Sequence, residues 1–471
     1  MVAWLTLVDC ATRLRYNRRS VVVQKFGGTS VADPQAIRRL IDIVQRARTS
    51  AGRGPAVVVS AMNKVTDGLL AIAADASEGR TEDALARLQG IRERHHAAAR
   101  DLAPAEAAAL IAGIDGELDG LAAVAQALGV LREASPRTLD VVAATGELLS
   151  SRVVAAALRQ AGVPAVWVDA RKAIVTDDQH TRAVPLAAET ETALRTHVLR
   201  EIEAGHVPVL GGFVGATVDG HTTTLGRGGS DYSGALVGAG IGASEIQIWT
   251  DVDGMLTADP RIVQNPRVVP RLSFAEAAEL AYFGAKVLHP STILPAVERD
   301  IPVRILNSRN AEAPGTLITA TGAADGGPMT ALACKREVTV VDITSSRMLM
   351  AHGFLRRVFE VFDRYRTAVD VVTTSEVSVS VTIDERRHLD AIVAALSEFG
   401  SVEVEHDLSL LCAVGDRLPR EPEVAARAVR VLEEFPLKMI SQAASRRNIT
   451  VVLPQADLAK AMHRLHEEFF A

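Results

Sequence analysis

Six consecutive residues, Gly226-Arg227-Gly228-Gly229-Ser230-Asp231, restrict what this chain can become more than any other stretch. Their glycines permit left-handed backbone and let a ligand approach bare N–H groups, while the arginine offers a planar fork to a carboxylate or phosphate. The aspartate can hold neighbouring cations in place. A small-residue apolar segment that reads as a helix follows directly, so the six residues form an anion site at a helix start. Residues 245–250 (EIQIWT) then alternate like a strand and run into Asp251-Val252-Asp253-Gly254, an acidic turn. Helix, strand and acidic turn in that order point to an α/β nucleotide site. Two other nucleotide signatures fail. Gly238-Ala239-Gly240-Ile241-Gly242-Ala243 fits G-x-G-x-x-G/A formally, but that fingerprint needs a strand before it and a helix after it, and here the order is reversed. No G-x-x-x-x-G-K-[ST] occurs, so a P-loop has no support.

Upstream, residues 21–30 (VVVQKFGGTS) read as a buried strand ending in Lys25 and the pair Gly27-Gly28. Asp33 and Pro34 look like a helix N-cap and first-turn residue, with Ile37, Leu40, Ile41 and Val44 at helical spacing. Strand, lysine, glycine pair and helix start make a phosphate cradle. A second strand, 57–60, precedes a polar loop at 61–67, and strand ends in open α/β sheets are where ligands collect. From 81 to 131 the chain has helical periodicity and reads as an insertion or outer layer, in which His95 and His96 are solvated helix residues rather than ligands. Thr145-Gly146-Glu147 interrupts an apolar segment. Glu147 reads as a carboxylate at a helix head, there either for a substrate ammonium group or for the helix dipole. Residues 163–169, 207–213 and 301–306 are further strand candidates. Strands alternating with helices imply a mainly parallel sheet covered on both faces. Asp259-Pro260-Arg261 stiffens a turn, and 283–290 (FGAKVLHP) supplies a second lysine, Lys286, after a glycine.

Composition narrows the function. A chain of 471 residues implies two to four domains at roughly 100 to 200 residues each. A net charge of −6 argues against a nucleic-acid binder, which needs a basic surface. Cys10, Cys334 and Cys412 are widely separated and lack metal-ligand spacing, which fits a reducing cytoplasm and assigns no metal site. Residues 1–20 place apolar residues before basic ones, the wrong order for a secretory signal, and read as a disordered extension or misassigned start. No run of ~18 uncharged apolar residues provides a membrane span.

A small, flexible stretch at 322–328 (GAADGGP) marks the main boundary. Beyond it the chain repeats itself. Strands at 338–343, 369–373 and 377–383 with helices at 353–365 and 389–399 are matched by strands at 408–414, 438–442 and 449–453 with helices at 424–435 and 456–469. A pair of ferredoxin-like units after a catalytic domain reads as a ligand-sensing module.

These residues resemble the aspartokinases, ATP-dependent aspartate kinases with an amino-acid-kinase domain and C-terminal tandem ACT domains. The resemblance runs from 21 onward and is carried, in order, by KFGGTSVAD (25–33), SAMNKVTD (60–67), TGE (145–147), TTLGRGGSDY (223–232), TDVDGMLTADPR (250–261) and FGAKVLHP (283–290). VDVVTTSEVSVSVTID (369–384) is most similar to the lysine-sensitive members. The resemblance implies a three-layer α/β kinase domain over 21–322 and two βαββαβ ACT domains over 330–405 and 406–471. It implies transfer of phosphate from ATP, with Mg²⁺ carried by the nucleotide, to L-aspartate, with Lys25 and Lys286 as clamps on the phosphoryl group and Asp231 orienting them. Thr66, Glu147, Arg227, Gly228, Gly229 and Ser230 would hold the substrate, Glu147 at its α-ammonium and Arg227 at its α-carboxylate. Gly27, Gly28, Thr29, Thr250, Asp251, Leu256, Arg261, Lys286 and Val287 would contact ATP, although some relatives carry tyrosine at the position of Leu256 and histidine at that of Thr145. An L-lysine effector would meet Met348, Gly353, Phe354, Leu355, Val369, Asp370, Thr374, Ser375 and Glu376, with Asp370 and Glu376 facing its ammonium groups. ACT domains pairing between subunits would give at least a homodimer. Arg227 and Glu147 would equally suit another amino-acid kinase, such as one acting on glutamate, and a non-catalytic amino-acid sensor is the alternative from a different class.

Overall fold

The computed structural model describes residues 21–226, 228–284, 288–323, 327–345, 352–418, 421–442 and 447–470. They fall into two compact units, 21–254 with 288–320 and 255–284 with 321–470. The extension expected at 1–20 lies outside the described residues.

In the first unit the strands are β1 (Val22–Phe26), β2 (Ala56–Val59), β3 (Ala165–Trp167), β4 (Val175–Thr176), β5 (Val207–Gly211), β6 (Val214–Thr217), β7 (Thr222–Thr224), β8 (Glu245–Thr250), β10 (Val303–Asn307) and β11 (Thr316–Thr319). The main sheet runs β3-β5-β2-β1-β8-β10-β11. Its pairs from β3 through β10 are parallel, and β11 returns antiparallel along β10. A parallel sheet buries both faces, and alternation in β1 shows how. Phe26, stacked on Trp249 with ring centroids 6.0 Å apart, points into a core shared with Val57, Val59, Val209 and the helices Pro34–Ala51 and Pro136–Gln160. Lys25 points the other way, under the helix Gly229–Ile241. That helix can lie close because it is glycine-rich: a Cβ added at Gly234 would stand 3.2 Å from Lys25 Cβ, and one at Gly238 2.5 Å from Ile246. The three-layer arrangement expected from the alternating pattern is what forms. Asp33 caps its helix as expected, accepting from Ala36 N at 2.8 Å.

Three expectations are corrected here. Glu147 is not at a helix head but in the middle of the helix Pro136–Gln160, whose N-cap is Ser135. His95 is not solvated: it is 0% exposed, with Nδ1 on Ile91 O at 2.8 Å, and burial pushes its imidazole down to about 4. His96 is also partly covered, and its Nε2 meets Asp115 Oδ1 at 2.8 Å. His95 belongs to the inward stripe Leu88, Ile91, Ala98, Ala99 and Leu102 of the helix Thr81–Leu102, so helical spacing rather than polarity decides its place. The helix Pro136–Gln160 is the one described helix long and apolar enough to cross a membrane, but 89% of its apolar window is buried inside the fold.

The second unit begins with β9 (Arg271–Ser273) and the helix Phe274–Tyr282, started by a capping box between Ser273 and Glu276. Its sheet is built from β12 (Ala331–Thr344), β13 (Val372–Thr374), β14 (Ser378–Ile383), β15 (Ser401–Val414), β16 (Met439–Ser441) and β17 (Asn448–Pro454), in the order β13-β14-β12-β15-β17-β16. All neighbours are antiparallel. Each half covers its part of the sheet with two helices, Phe354–Arg364 and Leu389–Ser397 in one, Pro422–Val431 and Leu458–Phe470 in the other. The division at 405/406 does not describe this sheet. Ala331–Lys335 pair with Leu411–Val414 and Leu410, and Leu332 packs in the core of the second half with Leu411, Val451 and Leu465. The last strand of the second ferredoxin-like unit therefore lies upstream of the first unit, which is inserted within it. Register shifts between Lys335 and Val340 mark the crossing from one half to the other. Ala258, Ile262 and Val263 fill the same second core, so the segment from 255 clusters with the C-terminal unit although it falls inside the 21–322 span.

Candidate active site

The C-terminal ends of β1, β2 and β5 open onto a cavity of about 540 Å³ in the first unit. Its wall includes Lys25, Ser60, Thr66, Asp140, Glu147, Thr181, Phe213, Thr224, Gly226, Gly228, Gly229, Ser230 and Asp231. Strand ends in a parallel sheet are where side chains and loops can converge without a covering strand.

Lys25 sits one residue from the end of β1, beside Val58 and Ile248 of the flanking strands. Its Nζ lies 2.7 Å from Asp231 Oδ1, with the two side chains 9% and 18% exposed. Asp231 reaches it because Gly228, in left-handed backbone at φ 70°, starts the helix and places Asp231 in its first turn. Asp231 and Gly234 are three positions apart and so share the helix face lying over the lysine stem. The space next to the ammonium is kept open by glycine: a Cβ at Gly27 would stand 3.6 Å from Lys25 Nζ, and one at Gly28 3.3 Å from Ala61 O. Gly28 and Thr29 begin a short 3-10 turn, Gly28–Val31, fixed by Ser30 Oγ donating to Trp249 O at 3.2 Å.

Glu147 approaches from the opposite layer. Close packing seats its helix: Cβ atoms at Gly211 and Gly146 would meet Glu147 O at 2.9 Å and Ala61 Cβ at 2.9 Å, and Ser150 Oγ donates to Ser60 O at 2.7 Å. The Glu147 side chain is buried and its Oε2 has no hydrogen-bond partner among the described residues. Burial drives its carboxyl up to about 8 against the opposing pull of the Ala61 backbone and the Lys25 charge. A buried, unsatisfied carboxyl in a cavity is poised to take a cation. Thr66 stands in the first turn of the helix Val65–Ser77 and Ser230 in that of Gly229–Ile241, so both line the cavity beside helix N–H groups.

Of the other expected contacts, Thr250 ends β8 and Asp251 follows it, with Thr250 Oγ1 donating to Asp251 Oδ1 at 3.3 Å. Leu256 and Arg261 belong to the second unit, Leu256 bridging Val268 and Arg261 paired with Asp259 at 2.6 Å. Arg227, Lys286, Val287 and Met348 lie outside the described residues. Two participants were missed. Asp140 lines the cavity fully buried, and Arg94 donates to Asn63 O at 2.8 Å and Ala32 O at 2.6 Å, tying the outer helical layer to the loops after β1 and β2. Asp140 precedes Glu147 by two helical turns, a spacing that could have flagged it.

In the second unit, Gly353 starts the helix Phe354–Arg364 in left-handed backbone at φ 79°. Phe354 is buried edge-on against Phe399, and Leu355 is exposed. Val369 packs on the core, while Thr374, Ser375 and Glu376 are exposed at the turn between β13 and β14, where Ser375 Oγ and Ser378 Oγ are 2.7 Å apart. Asp370 departs from the expectation of an open carboxylate. Its side chain is 4% exposed, with both oxygens 2.9 Å from Lys335 Nζ and Oδ1 accepting from Tyr282 OH at 3.1 Å. Lys335 also meets Asp384 at 2.7 Å. The carboxylate is thus already held by an ammonium group of its own chain.

A three-layer α/β unit with a lysine–aspartate pair and a buried carboxyl at its strand ends, on a chain that also carries a ferredoxin-like sheet, has the build of a regulated small-molecule kinase. Residues 20–307 match the amino acid kinase family and residues 411–469 an ACT domain. Over 459 residues the chain is 37% identical to lysine-sensitive aspartokinase 3 of Escherichia coli (strain K12), spanning 96% of this chain and 99% of that protein. Solved structures of E. coli aspartokinase III, one with aspartate and ADP (R-state) and one with lysine and aspartate (T-state), match it with a TM-score of 0.80 at 36% identity, covering 96% of this chain and 100% of theirs. The chain belongs to the aspartokinase family.

Proposed function

We propose that this chain transfers the γ-phosphoryl group of ATP to the β-carboxylate of L-aspartate, giving 4-phospho-L-aspartate for lysine, threonine and methionine biosynthesis, and that L-lysine inhibits it. The observation that carries the reading is one cavity holding Lys25, Asp231 and Glu147, whose Oε2 has no hydrogen-bond partner among the described residues. A carboxylate nucleophile is already ionised near neutrality, so no general base is needed. The obstacle is charge, because an anion must attack a polyanion. Lys25, held by Asp231, stabilises the charge on the transferring group, and alignment supplies the rest. Glu147 takes the α-ammonium group, Thr66 and Ser230 add hydrogen bonds, and Arg227 grips the α-carboxylate. The glycine pair admits the phosphates beside Lys25. Mg²⁺ arrives on the nucleotide, as this hard, hydrated ion commonly does.

Assaying ADP release with each of the twenty amino acids tests the reading. Aspartate should be turned over well above every other, glutamate included. If glutamate or no amino acid is turned over, the substrate assignment fails.

For regulation, the exposed Glu376 is the carboxylate free to meet an effector ammonium, whereas an effector reaching Asp370 must displace Lys335. Inhibition acts by binding one of two conformations better, through ACT domains that pair in a homodimer in the cytoplasm. Millimolar lysine should inhibit the wild type, and Glu376→Ala should keep its activity and lose much of the sensitivity. A wild type indifferent to lysine but responsive to threonine or methionine would remove the effector and leave the kinase.

A further inference from the structure

Asp140 has no part in the chemistry described above, yet it is among the most heavily engaged side chains at the cavity. Its carboxylate is 0% exposed and takes four hydrogen bonds from three residues on two stretches of chain. Oδ2 accepts from His180 Nδ1 at 2.6 Å, both oxygens accept from Thr181 N at 2.9 and 3.1 Å, and Oδ1 accepts from Thr224 Oγ1 at 2.5 Å. Because a carboxylate only accepts, His180 presents Nδ1–H to it.

These partners form one wall of the cavity. Thr181 lines it with backbone at φ 70°, a conformation that a β-branched residue holds only when its surroundings impose it. Thr224 ends β7 and runs through Leu225 into Gly226 and the anion loop. The two stretches are also joined directly, Ala183 N donating to Thr224 O at 2.9 Å. They fit closely, since a Cβ on Gly226 would lie 3.4 Å from Thr181 O. Asp140 and Glu147 are seven positions apart on one helix, hence on one face and separated by about 10 Å along its axis. One helix therefore carries the carboxyl that faces the cavity and the carboxylate that fixes the wall across from it.

We propose that Asp140, with His180 as its donor, is a positioning residue that sets the distance between Glu147 and the wall made by Thr181, Gly226 and Gly228–Ser230, and so the fit of the amino-acid substrate but not that of ATP. This rests on the reading of the cavity as the amino-acid site. Asp140→Ala would leave several buried donors unpaired and can fail to fold, so His180 provides the test. Its side chain is 16% exposed on a loop, and removing it leaves the remaining donors on Asp140. Asparagine can place an amide N–H close to the position of Nδ1–H; alanine cannot.

Steady-state kinetics in both substrates, with thermal melts, should be run on wild type, His180→Ala and His180→Asn. In His180→Ala the KM for aspartate should rise on the order of tenfold, the usual scale for a hydrogen bond to a charged group. The KM for ATP should stay within about twofold, and His180→Asn should return the aspartate KM to within about threefold of wild type. Three results would overturn the proposal: an aspartate KM unmoved in His180→Ala, an equal rise for aspartate and ATP with a lowered Tm, or no recovery in His180→Asn. A wild type inactive toward aspartate would sink the cavity reading and this proposal together, and the wild-type trace alone reports it.

Discussion

Lys25→Ala should lose on the order of 10² or more in kcat, while the KM for aspartate moves far less. That is the scale on which removal of one preorganised electrostatic donor acts, and the lysine's work is on charge that develops during transfer. Its ammonium is almost fully buried and fixed at 2.7 Å by Asp231, so it needs no reorganisation when the phosphoryl group moves. Asp231→Ala should produce a loss of similar order by freeing the lysine. The double variant should be little worse than either single one, because two members of a unit are not additive. Each single change also strands a partly buried charge, so thermal melts must accompany the kinetics. A Lys25→Ala enzyme with near-normal kcat and only a raised KM would remove the lysine from the transfer step.

The second large effect belongs to Glu147 and is read as protons. Raised by burial to about 8, the Glu147 carboxyl of the free enzyme is mostly protonated at pH 7. An ammonium group bound beside it favours the ionised form, so aspartate binding at pH 7 should release most of one proton through this group. Titration calorimetry in buffers of different ionisation enthalpy measures that number. The kcat/KM for aspartate should climb about tenfold per pH unit up to roughly 8 and then level. Glu147→Gln should flatten that rise and weaken aspartate by roughly 30-fold or more, the scale for truncating one partner of a buried charge pair. Stability moves in the opposite sense. The folded carboxyl titrates above its ordinary 4.5, so the native protein holds a proton that the unfolded chain has lost. Ligand-free stability should therefore fall as pH rises from about 4.5 toward 8, by up to about 1.4 kcal/mol per unit. Glu147→Gln should lack this component. Proton release near zero with wild-type affinity would remove Glu147 from the ammonium site.

Much of this was legible in the sequence because local rules and the global fold agree. Asp33 before Pro34, the β-branched run into Lys25, and glycines followed by Ser230-Asp231 each name their own backbone. The second unit's strands were found because their alternation survives in a two-faced sheet. What escaped reading depended on distant chain. Nothing local marks Ala331–Lys335 as the closing strand for residues 408–454, since its partners come some eighty residues later. The small sheet β4-β6-β7 is made of pieces too short to show a period. Glu147 was placed at a helix head because glycine at 146 looked like a break. In the fold Gly146 is there for contact, as a Cβ would meet Ala61 at 2.9 Å. Asp370 looked open because sequence alone could not bring Lys335 to it.

The most direct test is to trap the product of ATP and aspartate with hydroxylamine and identify the hydroxamate formed by wild type and by Lys25→Ala. Wild type should yield the β-hydroxamate of aspartate in proportion to ADP, and Lys25→Ala should yield it on the order of a hundredfold more slowly. An α-hydroxamate, or ADP release with no hydroxamate at all, would contradict transfer to the β-carboxylate in this cavity.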